Sequence, residues 1–591
     1  MAEKSINKSN IPNTDGSVDE SVKQAIKKYA LLNGVSFSGK ASPGTVLGKL
    51  IGDMPELRSR IKDLMPVINQ IISEINNLNV ETQMMQLKEL APELLEKKEE
   101  KQERVLPNLK NAEDGKVVMR FAPSPSGPLH IGHAYTSSLN SEYCKKYHGK
   151  FMIRIEDTNS DNIYTPAYDM IPEDAQWLTK GNVAQVVIQS ERMEVYYSYA
   201  EKLIKLGGMY ICSCDSEAFK EFMNRKEACP CRNLSVEKQL ERWEKMFDGY
   251  SEGEVVARVK TDVTHKNPAM RDWPAIRIND SVHPRQGKKY RVWPLMNFAV
   301  AIDDHEFYVT HTIRAKEHMD NEKRQQFLYD YFSWKMATNI YVGRINFEDM
   351  PVSCSKSRKA IEAGEYSGWE DIRLPFLRAL KRRGYQPEAF IKYAVDVGVS
   401  QNDKKVSKEE FFKTLDAFNK EIIDSKSHRY FFIDNPVKIE VVGAPEKELE
   451  LDLHSEYKKN GRKFKTNKVF YITKKDYDEI LDDKLVRLMD CYNIRKEKNA
   501  FIFDSEEYEK YKKEGKKIIH WLPVDDAKNK NITANNVNVE ILMPDNTLAK
   551  GLAEHSLRAI KVGDIVQFER FGFARCDEMK ENKMIFWFAH K

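Results

Sequence analysis

From about residue 21 to residue 103, apolar residues recur at three- and four-residue steps. Ile61, Leu64, Val67, Ile68, Ile71 and Ile72 fall on one face of a helix. The stretch predicts a helical N-terminal extension, with Met65-Pro66 as a break or kink because proline lacks the N–H that an interior turn needs. The polar residues 1–19 predict a flexible start. The charged run 96–104 and the Pro/Gly/Asn-rich 107–115 predict a linker. At Lys116 the pattern changes. Val117, Val118 and Met119 form a short apolar run, then come a Pro/Ser/Gly loop, helical spacing over about 134–147, and the apolar run Phe151, Met152, Ile153 and Ile155. Strand, loop, helix, strand is the order of a parallel α/β domain.

Residues 207–291 break this order with clustered cysteines and short mixed elements. The α/β texture returns at 298–302 and 307–313, so the break predicts an insertion. Residues 370–428 are helical in pattern. Beyond Tyr430 the apolar runs are short, β-rich and turn-bounded, at 437–442, 469–472, 537–542 and 565–568, which predicts one or two small β-barrels. The organisation expected is a multidomain α/β chain: a helical extension (1–112), the first half of an α/β domain (113–206), an insertion (207–290), the second half (291–369), a helical connector (370–428) and β-barrels (429–591).

Composition sets limits on this picture. The 591 residues suffice for roughly four domains. Hydrophobic residues at 41% and charged residues at 31% describe a globular chain with a charged surface. No apolar run approaches the roughly 18 residues of a membrane helix, and the polar start lacks the apolar core of a signal peptide, so a cytoplasmic protein is expected. The net charge of +4 is too small to demand a polyanionic partner, so local clusters would have to supply such binding. Eight cysteines in this length exclude a disulfide scaffold.

The densest chemistry lies in Arg120-Phe-Ala-Pro-Ser-Pro-Ser-Gly-Pro-Leu-His-Ile-Gly-His133, between a strand and a helix. The prolines stiffen the loop, and Gly127 and Gly132 let backbone approach a ligand. The helix start offers free N–H groups to phosphate. His130 and His133 can reach the same phosphate and stabilise charge that builds there. Cys212-Ser-Cys214 and Cys229-Pro-Cys231 suit either four thiolates around a structural Zn²⁺ or four reduced, unligated thiols.

The Arg120–His133 string resembles the HIGH motif of class I aminoacyl-tRNA synthetases, in the form used by the glutamyl/glutaminyl branch, and the chain as a whole resembles that branch's archaeal-type glutamyl enzymes, whose barrel end the 561–573 stretch is similar to. Ser355-Lys356-Ser357 is similar to the end of that family's KMSKS motif. Ser353 and Cys354 depart from its Lys and Met, and the following 368–375 segment, GWEDIRLP, is also similar. Arg154-Ile-Glu156-Asp-Thr resembles the family's RIEDT segment, and Thr310-His-Thr-Ile-Arg314 the strand that leads into its substrate pocket.

The resemblance implies a class I Rossmann-like catalytic domain with an inserted acceptor-stem subdomain, a helical connector and anticodon-binding barrels. It also implies activation of L-glutamate by ATP with Mg²⁺, then transfer to the 3′ end of tRNA(Glu). Glutaminyl, non-discriminating and non-catalytic tRNA-binding relatives are the alternatives. His130, Gly132, His133, Ser355, Lys356 and Ser357 would hold ATP, with His130, His133 and Lys356 catalytic. Arg120, Ala122, Ser124, Glu156 and Arg314 would hold the amino acid: Arg120 its side-chain carboxylate, Arg314 its α-carboxylate and Glu156 its ammonium.

An ungapped reading places Met296 where many relatives have a tyrosine, with Asn297 as a substitute contact. Asp303-Asp304-His305, read as lying at a strand end, is rejected as a metal site because adjacent carboxylates there face opposite ways. Arg378, Lys381, Arg382 and Arg383 form the clearest basic cluster, which suits either tRNA phosphates or a solvated helix face. Aromatics within 561–573 suit either anticodon stacking or barrel core. The N-terminal extension is a candidate for docking a protein partner.

Overall fold

The computed structural model describes residues 18–36, 39–94, 104–498, 500–524 and 536–591. The expected flexible start and most of the charged run 96–104 lie outside the described residues. The chain divides into two compact units, 1–103 and 104–591.

The first unit is helical, as its spacing predicts, with helices Glu20–Ser36, Pro43–Asp53, Ile61–Asn76 and Val80–Leu90. Ile26, Leu31, Val46, Leu50, Leu64, Ile68 and Leu87 form its core. Pro66 does not end its helix. A 3₁₀ turn, Pro55–Arg60, runs straight into Ile61–Asn76, and the buried stripe Leu64, Ile68, Ile72, Ile75 passes through the proline. That packing outweighs one missing hydrogen bond. A contact absent from the periodicity closes the bundle: the buried Gln83 amide donates to the carbonyls of Gly39, Ile75 and Leu78 at 2.8–3.1 Å.

In the second unit, strands Val118–Phe121, Lys150–Ile155 and Val183–Ile188 form a parallel sheet with Val118–Phe121 at one edge. Strands His311–Ala315 and Thr338–Val342 form a second parallel pair. Thr310 donates its N–H to the Val118 carbonyl at 3.0 Å, and its hydroxyl accepts from the Val118 N–H at 2.9 Å. The spatial order therefore reverses between Val118–Phe121 and His311–Ala315. Such a switch point opens a crevice at the carboxyl ends of the strands. Arg120 and Arg314 sit at those ends.

The expected insertion is a four-stranded antiparallel sheet, Met209–Cys212, Val256–Val259, Pro274–Ile278 and Val292–Pro294, with helices Ser216–Arg225 and Val236–Asp248. His283 fastens it to the parallel sheet by bonding the Asp157 carbonyl at 2.9 Å. Asp303 and Asp304 lie on a helix, Met296–Glu306, and not at a strand end. Phe298 to Asp304 are all buried, and an all-round apolar run of that length does not distinguish strand from helix.

Helices Leu377–Arg383, Pro387–Val397 and Lys408–Ile423 form the connector. Leu377, Leu380, Phe390, Phe411 and Leu415 share one core with Ile131 and Ile153. Beyond it lie two seven-stranded sheets. The first begins and ends on His428–Tyr430 and Phe432–Asp434. The second begins and ends on Gly515–Ile519 and Leu522–Pro523. In each case the outermost strands are consecutive in the chain, so each sheet curls back almost to closure. Phe431 and His520, the residues at these two bends, stack at 4.8 Å. Among the described residues no helix is long and apolar enough to cross a membrane.

The last strand, Lys583–His590, is held by the connector. Arg383 donates to the carbonyls of Phe588 at 3.1 Å and Ala589 at 2.7 Å, and Arg382 pairs with Asp577 at 2.8 Å. Removing the buried Arg383 donor takes a bond from each carbonyl, Ala589 keeping that from the Tyr385 hydroxyl at 3.3 Å, at a cost of about 1–3 kcal/mol. Arg383→Ala is therefore expected to speed amide hydrogen exchange in Lys583–His590 by about tenfold or more while leaving Val118–Phe121 unchanged, as read by exchange mass spectrometry.

Candidate active site

Three parallel strands each deliver an arginine to one buried carboxylate. Arg120 binds Asp304 through Nε and Nη2, at 3.1 and 3.2 Å. Arg154 donates Nη1 to Asp304 at 2.5 Å, and Arg314 donates Nη2 to it at 3.2 Å. Burial alone would raise the Asp304 carboxyl, but the guanidiniums of Arg120, Arg154 and Arg314 hold it well below the usual carboxylate range. Burial and the neighbouring Arg120 charge pull the Arg314 guanidinium below its ordinary value.

Asp303, one residue earlier, faces another cluster: Arg192 Nε, Gln189 Nε2 and Tyr196 Oη all donate to it at 2.8 Å. Both carboxylates thus have partners, which agrees with rejecting them as a metal site. The reason differs from the expected one, since arginines occupy them.

Arg120 and Arg314 line a cleft of about 220 Å³ together with Ala122, Glu156, Met296, Asn321 and Gln325, among others. That volume falls below the roughly 300–1,000 Å³ of drug-sized pockets and suits an amino acid. Glu156 follows its strand directly. Its N–H donates to the Pro123 carbonyl at 3.0 Å, and its Oε1 accepts from Arg154 Nη2 at 3.0 Å. Met296 reaches the cleft, as the ungapped reading expects. Asn297 instead bonds Asn321 and Gln325, at 3.3 Å each. Ser124 is exposed and is not among the lining residues.

The two signature histidines begin the helix Ile131–Lys146. His130 is its N-cap, and the two rings stack at 3.7 Å. Nδ1 of His130 accepts from the Gly132 N–H at 3.1 Å, and Nδ1 of His133 from the His130 N–H at 3.4 Å. An accepting Nδ1 puts the ring proton on Nε2. Burial lowers the His133 imidazole to about 4. Burial first, and the neighbouring His133 second, hold the His130 imidazole well below its ordinary value. Both are therefore neutral N–H donors near pH 7, aimed by their own backbone.

Their loop is fixed from two sides. Leu129 donates its N–H to Asp174 at 2.9 Å, and Ile131 donates to the Pro375 carbonyl at 3.1 Å. Pro375 ends the 368–375 segment. The Ser-Lys-Ser residues lie in the first turn of a helix, Cys354–Glu362, and not in an open loop. Ser355 and Lys356 are exposed, while Ser357 is buried and donates to the Pro351 carbonyl at 3.4 Å. Cys354 packs under the signature loop, its Sγ 3.6 Å from the Pro128 carbonyl. A Cβ on Gly127 would come within 3.0 Å of the Cys354 Cβ and 3.1 Å of the Trp369 ring, so the loop needs glycine there. Lys356 makes no ion pair among the described residues.

The four clustered cysteines come together. Their sulfurs lie within 4.8 Å of one another, with Cys212–Cys229 at 3.8 Å and Cys214–Cys231 at 3.9 Å. A tetrahedral site with Zn–S near 2.3 Å has S···S edges of roughly 3.8 Å, so the donor set fits zinc. The basic cluster on the connector is taken up within the chain. Arg378 pairs with Glu173 and Asp174, Arg382 with Asp577 and Glu370, and Arg383 is buried against carbonyls. Lys381 lies over the Trp177 ring. Within 561–573, Phe568 and Phe573 are fully buried, so they belong to the core.

Sequence reasoning missed Arg154, Asp304, Asn321 and Gln325. The available signal was charge in the wrong place: an arginine inside an apolar strand and an aspartate ending an apolar run. Buried charges come paired.

This arrangement, a switch-point crevice with a histidine-capped helix and a lysine-bearing second helix start, defines a class. Residues 116–425 match the catalytic domain of class I tRNA synthetases (E and Q). Residues 427–512 and 518–577 match two anticodon-binding domains of the same enzymes. The chain belongs to this family of class I aminoacyl-tRNA synthetases. It is similar over its length to proteins named glutamate–tRNA ligase: 42% identical to that of Methanobrevibacter smithii over 574 residues (96% of this chain, 100% of the other). The protein of Thermococcus kodakarensis is 43% identical over 590 residues (97% and 100%), and that of Pyrococcus abyssi 44% over 587 (96% and 100%).

Proposed function

We propose that the chain is a glutamate–tRNA ligase, and that the carrying observation is the charge of the cleft. Arg120, Arg154 and Arg314 face Asp304 and Glu156, which leaves one positive charge over. L-glutamate, with two carboxylates and one ammonium, brings one negative charge. Arg120 would take its side-chain carboxylate, Arg314 its α-carboxylate and Glu156 its ammonium. Glutamine, lacking the side-chain charge, would leave the cation unmatched.

In the first step a glutamate α-carboxylate oxygen attacks the ATP α-phosphorus and pyrophosphate leaves, forming glutamyl-adenylate. The Nε2–H donors of His130 and His133 stabilise charge at the α-phosphate. The ammonium of Lys356 follows the departing phosphates. Gly132, Ser355 and Ser357 would complete the ATP site, with Ser357 acting by fixing the turn. Mg²⁺ arrives on the phosphates and needs few protein ligands. In the second step a hydroxyl of the terminal adenosine of tRNA attacks the activated carbonyl and AMP leaves. The protein chiefly aligns the reactants and stabilises charge. The insertion is read as the acceptor-end subdomain and the two barrels as the anticodon reader.

The test is ATP–pyrophosphate exchange with tRNA present. Exchange with glutamate and not with glutamine is expected. Exchange with glutamine alone would assign the glutaminyl reaction, and none with either would remove the catalytic reading. Lys356→Ala is expected to lower the exchange rate by about 10²-fold or more with tRNA affinity nearly unchanged, and an unaltered rate would remove its role.

Cys212, Cys214, Cys229 and Cys231 would hold a closed Zn²⁺ site that fastens Met209–Cys212 to the Cys229–Cys231 turn. The metal would be structural, since four thiolates leave no open position. Metal analysis is expected to find close to one zinc per chain. Chelation should loosen the insertion, seen as new protease cuts within 207–290. A metal-free preparation with full activity and unchanged cutting would overturn the site.

A further inference from the structure

We propose that Asp304 is the positioning residue of the amino-acid site: it fixes the rotation of Arg120 and Arg314 so that terminal N–H groups of both stay uncommitted for substrate. This rests on the reading of the cleft as the glutamate site.

The hydrogen-bond inventory carries the argument. Arg120 commits Nε and Nη2 to Asp304, and its Nη1 has no partner among the described residues. Arg314 commits one N–H of Nη2 to Asp304 and one N–H of Nη1 to Gln325 Oε1 at 3.0 Å, which leaves a second N–H on each of these nitrogens, while its Nε is enclosed. Both side chains line the cleft and are nearly buried, with 6% and 9% of their surface exposed. A guanidinium N–H in a nearly buried side chain is costly without an acceptor, so the terminal N–H groups left over beside the cleft suit an acceptor from outside the chain.

Arg120 and Arg314 repel each other, and each long side chain has many rotamers. A single carboxylate that accepts from both holds them side by side and settles which nitrogens are used. Asp304 is suited to this by its own rigidity. It lies in the buried helix Met296–Glu306, where the adjacent Asp303 is held by Arg192, Gln189 and Tyr196. It does not line the cleft, so it acts through the arginines and not on the substrate.

A double-mutant cycle tests this, read as separate KM values for glutamate and ATP in tRNA-dependent exchange. Asp304→Asn keeps the shape and removes the charge. It is expected to raise the glutamate KM by about 10-fold or more with the ATP KM within about twofold, in line with loss of hydrogen bonds to a charged group. Arg314→Lys is expected to do the same. The double variant should raise the glutamate KM by much less than the product of the single effects, because Asp304 works through Arg314.

Effects that multiply, or an ATP KM that rises in step with the glutamate KM, would overturn the inference by showing an independent or merely structural role. If Asp304→Asn does not fold, Asp304→Glu carries the same cycle, since it keeps the buried charge and shifts it by one methylene. A wild-type enzyme inactive with glutamate overturns both this inference and the reading it rests on. An active wild type with an unchanged variant KM overturns the inference alone.

Discussion

Guanidinium groups cannot crowd together in a dry interior without an anion between them, and the placement of Asp304 answers that constraint. Removing either side of such a cluster strands a buried charge, so the strands and the helix that supply it must assemble in one way. Arg120, Arg154 and Arg314 come from Val118–Phe121, Lys150–Ile155 and His311–Ala315, and the aspartate from Met296–Glu306. The cluster therefore ties the two halves of the catalytic domain across the insertion. It also sets the electrostatics of the cleft above it, leaving a small positive excess where the amino acid would lie. A fully neutralised cluster would lose that pull on an anion, and one without the Asp304 charge would leave three guanidiniums to repel one another.

How far the sequence showed this depended on what kind of information each feature needs. The strand at Val118 and the barrel strands were legible because their apolar runs are short and bounded by turns. The helix after the two histidines was legible from its spacing, though its start at Ile131 and the capping by His130 came only with the structure. Arg120, Glu156 and Arg314 were legible through their motifs. Arg154 and Asp304 were not, because they lie 150 positions apart and pair only in three dimensions. Met296–Glu306 was misread as strand for a related reason. It is buried on every side, so neither a 2-residue nor a 3.6-residue period marks it. The continuity of the helix through Pro66 was likewise decided by packing on neighbouring helices, which local propensity does not record.

The basic cluster on the connector shows the same limit from the other direction. In the sequence Arg378, Lys381, Arg382 and Arg383 suit equally a phosphate-binding stripe or a solvated helix face. In the fold Arg378 helps hold Asp174, which in turn holds the Leu129 N–H beside His130. Arg382 and Arg383 hold the barrel that contains the C-terminal strand. Charge density alone does not separate a ligand surface from an internal clasp. The partners do.

These clasps give the signature loop an unusual setting. Leu129 and Ile131 are bonded to Leu377 and Pro375, so the loop that would receive ATP is completed by the chain that enters the connector. The next residues form the helix Leu377–Arg383, whose far end grips Phe588 and Ala589. One short helix thus touches both the signature turn and the last strand of the barrel docked on the connector, with buried bonds at each end. A flexible link would let the barrel fold and drift independently of the catalytic domain. The bonds at Leu377 and Arg383 remove that freedom. The orientation of this barrel is thereby built into the same stretch of backbone that completes the signature loop.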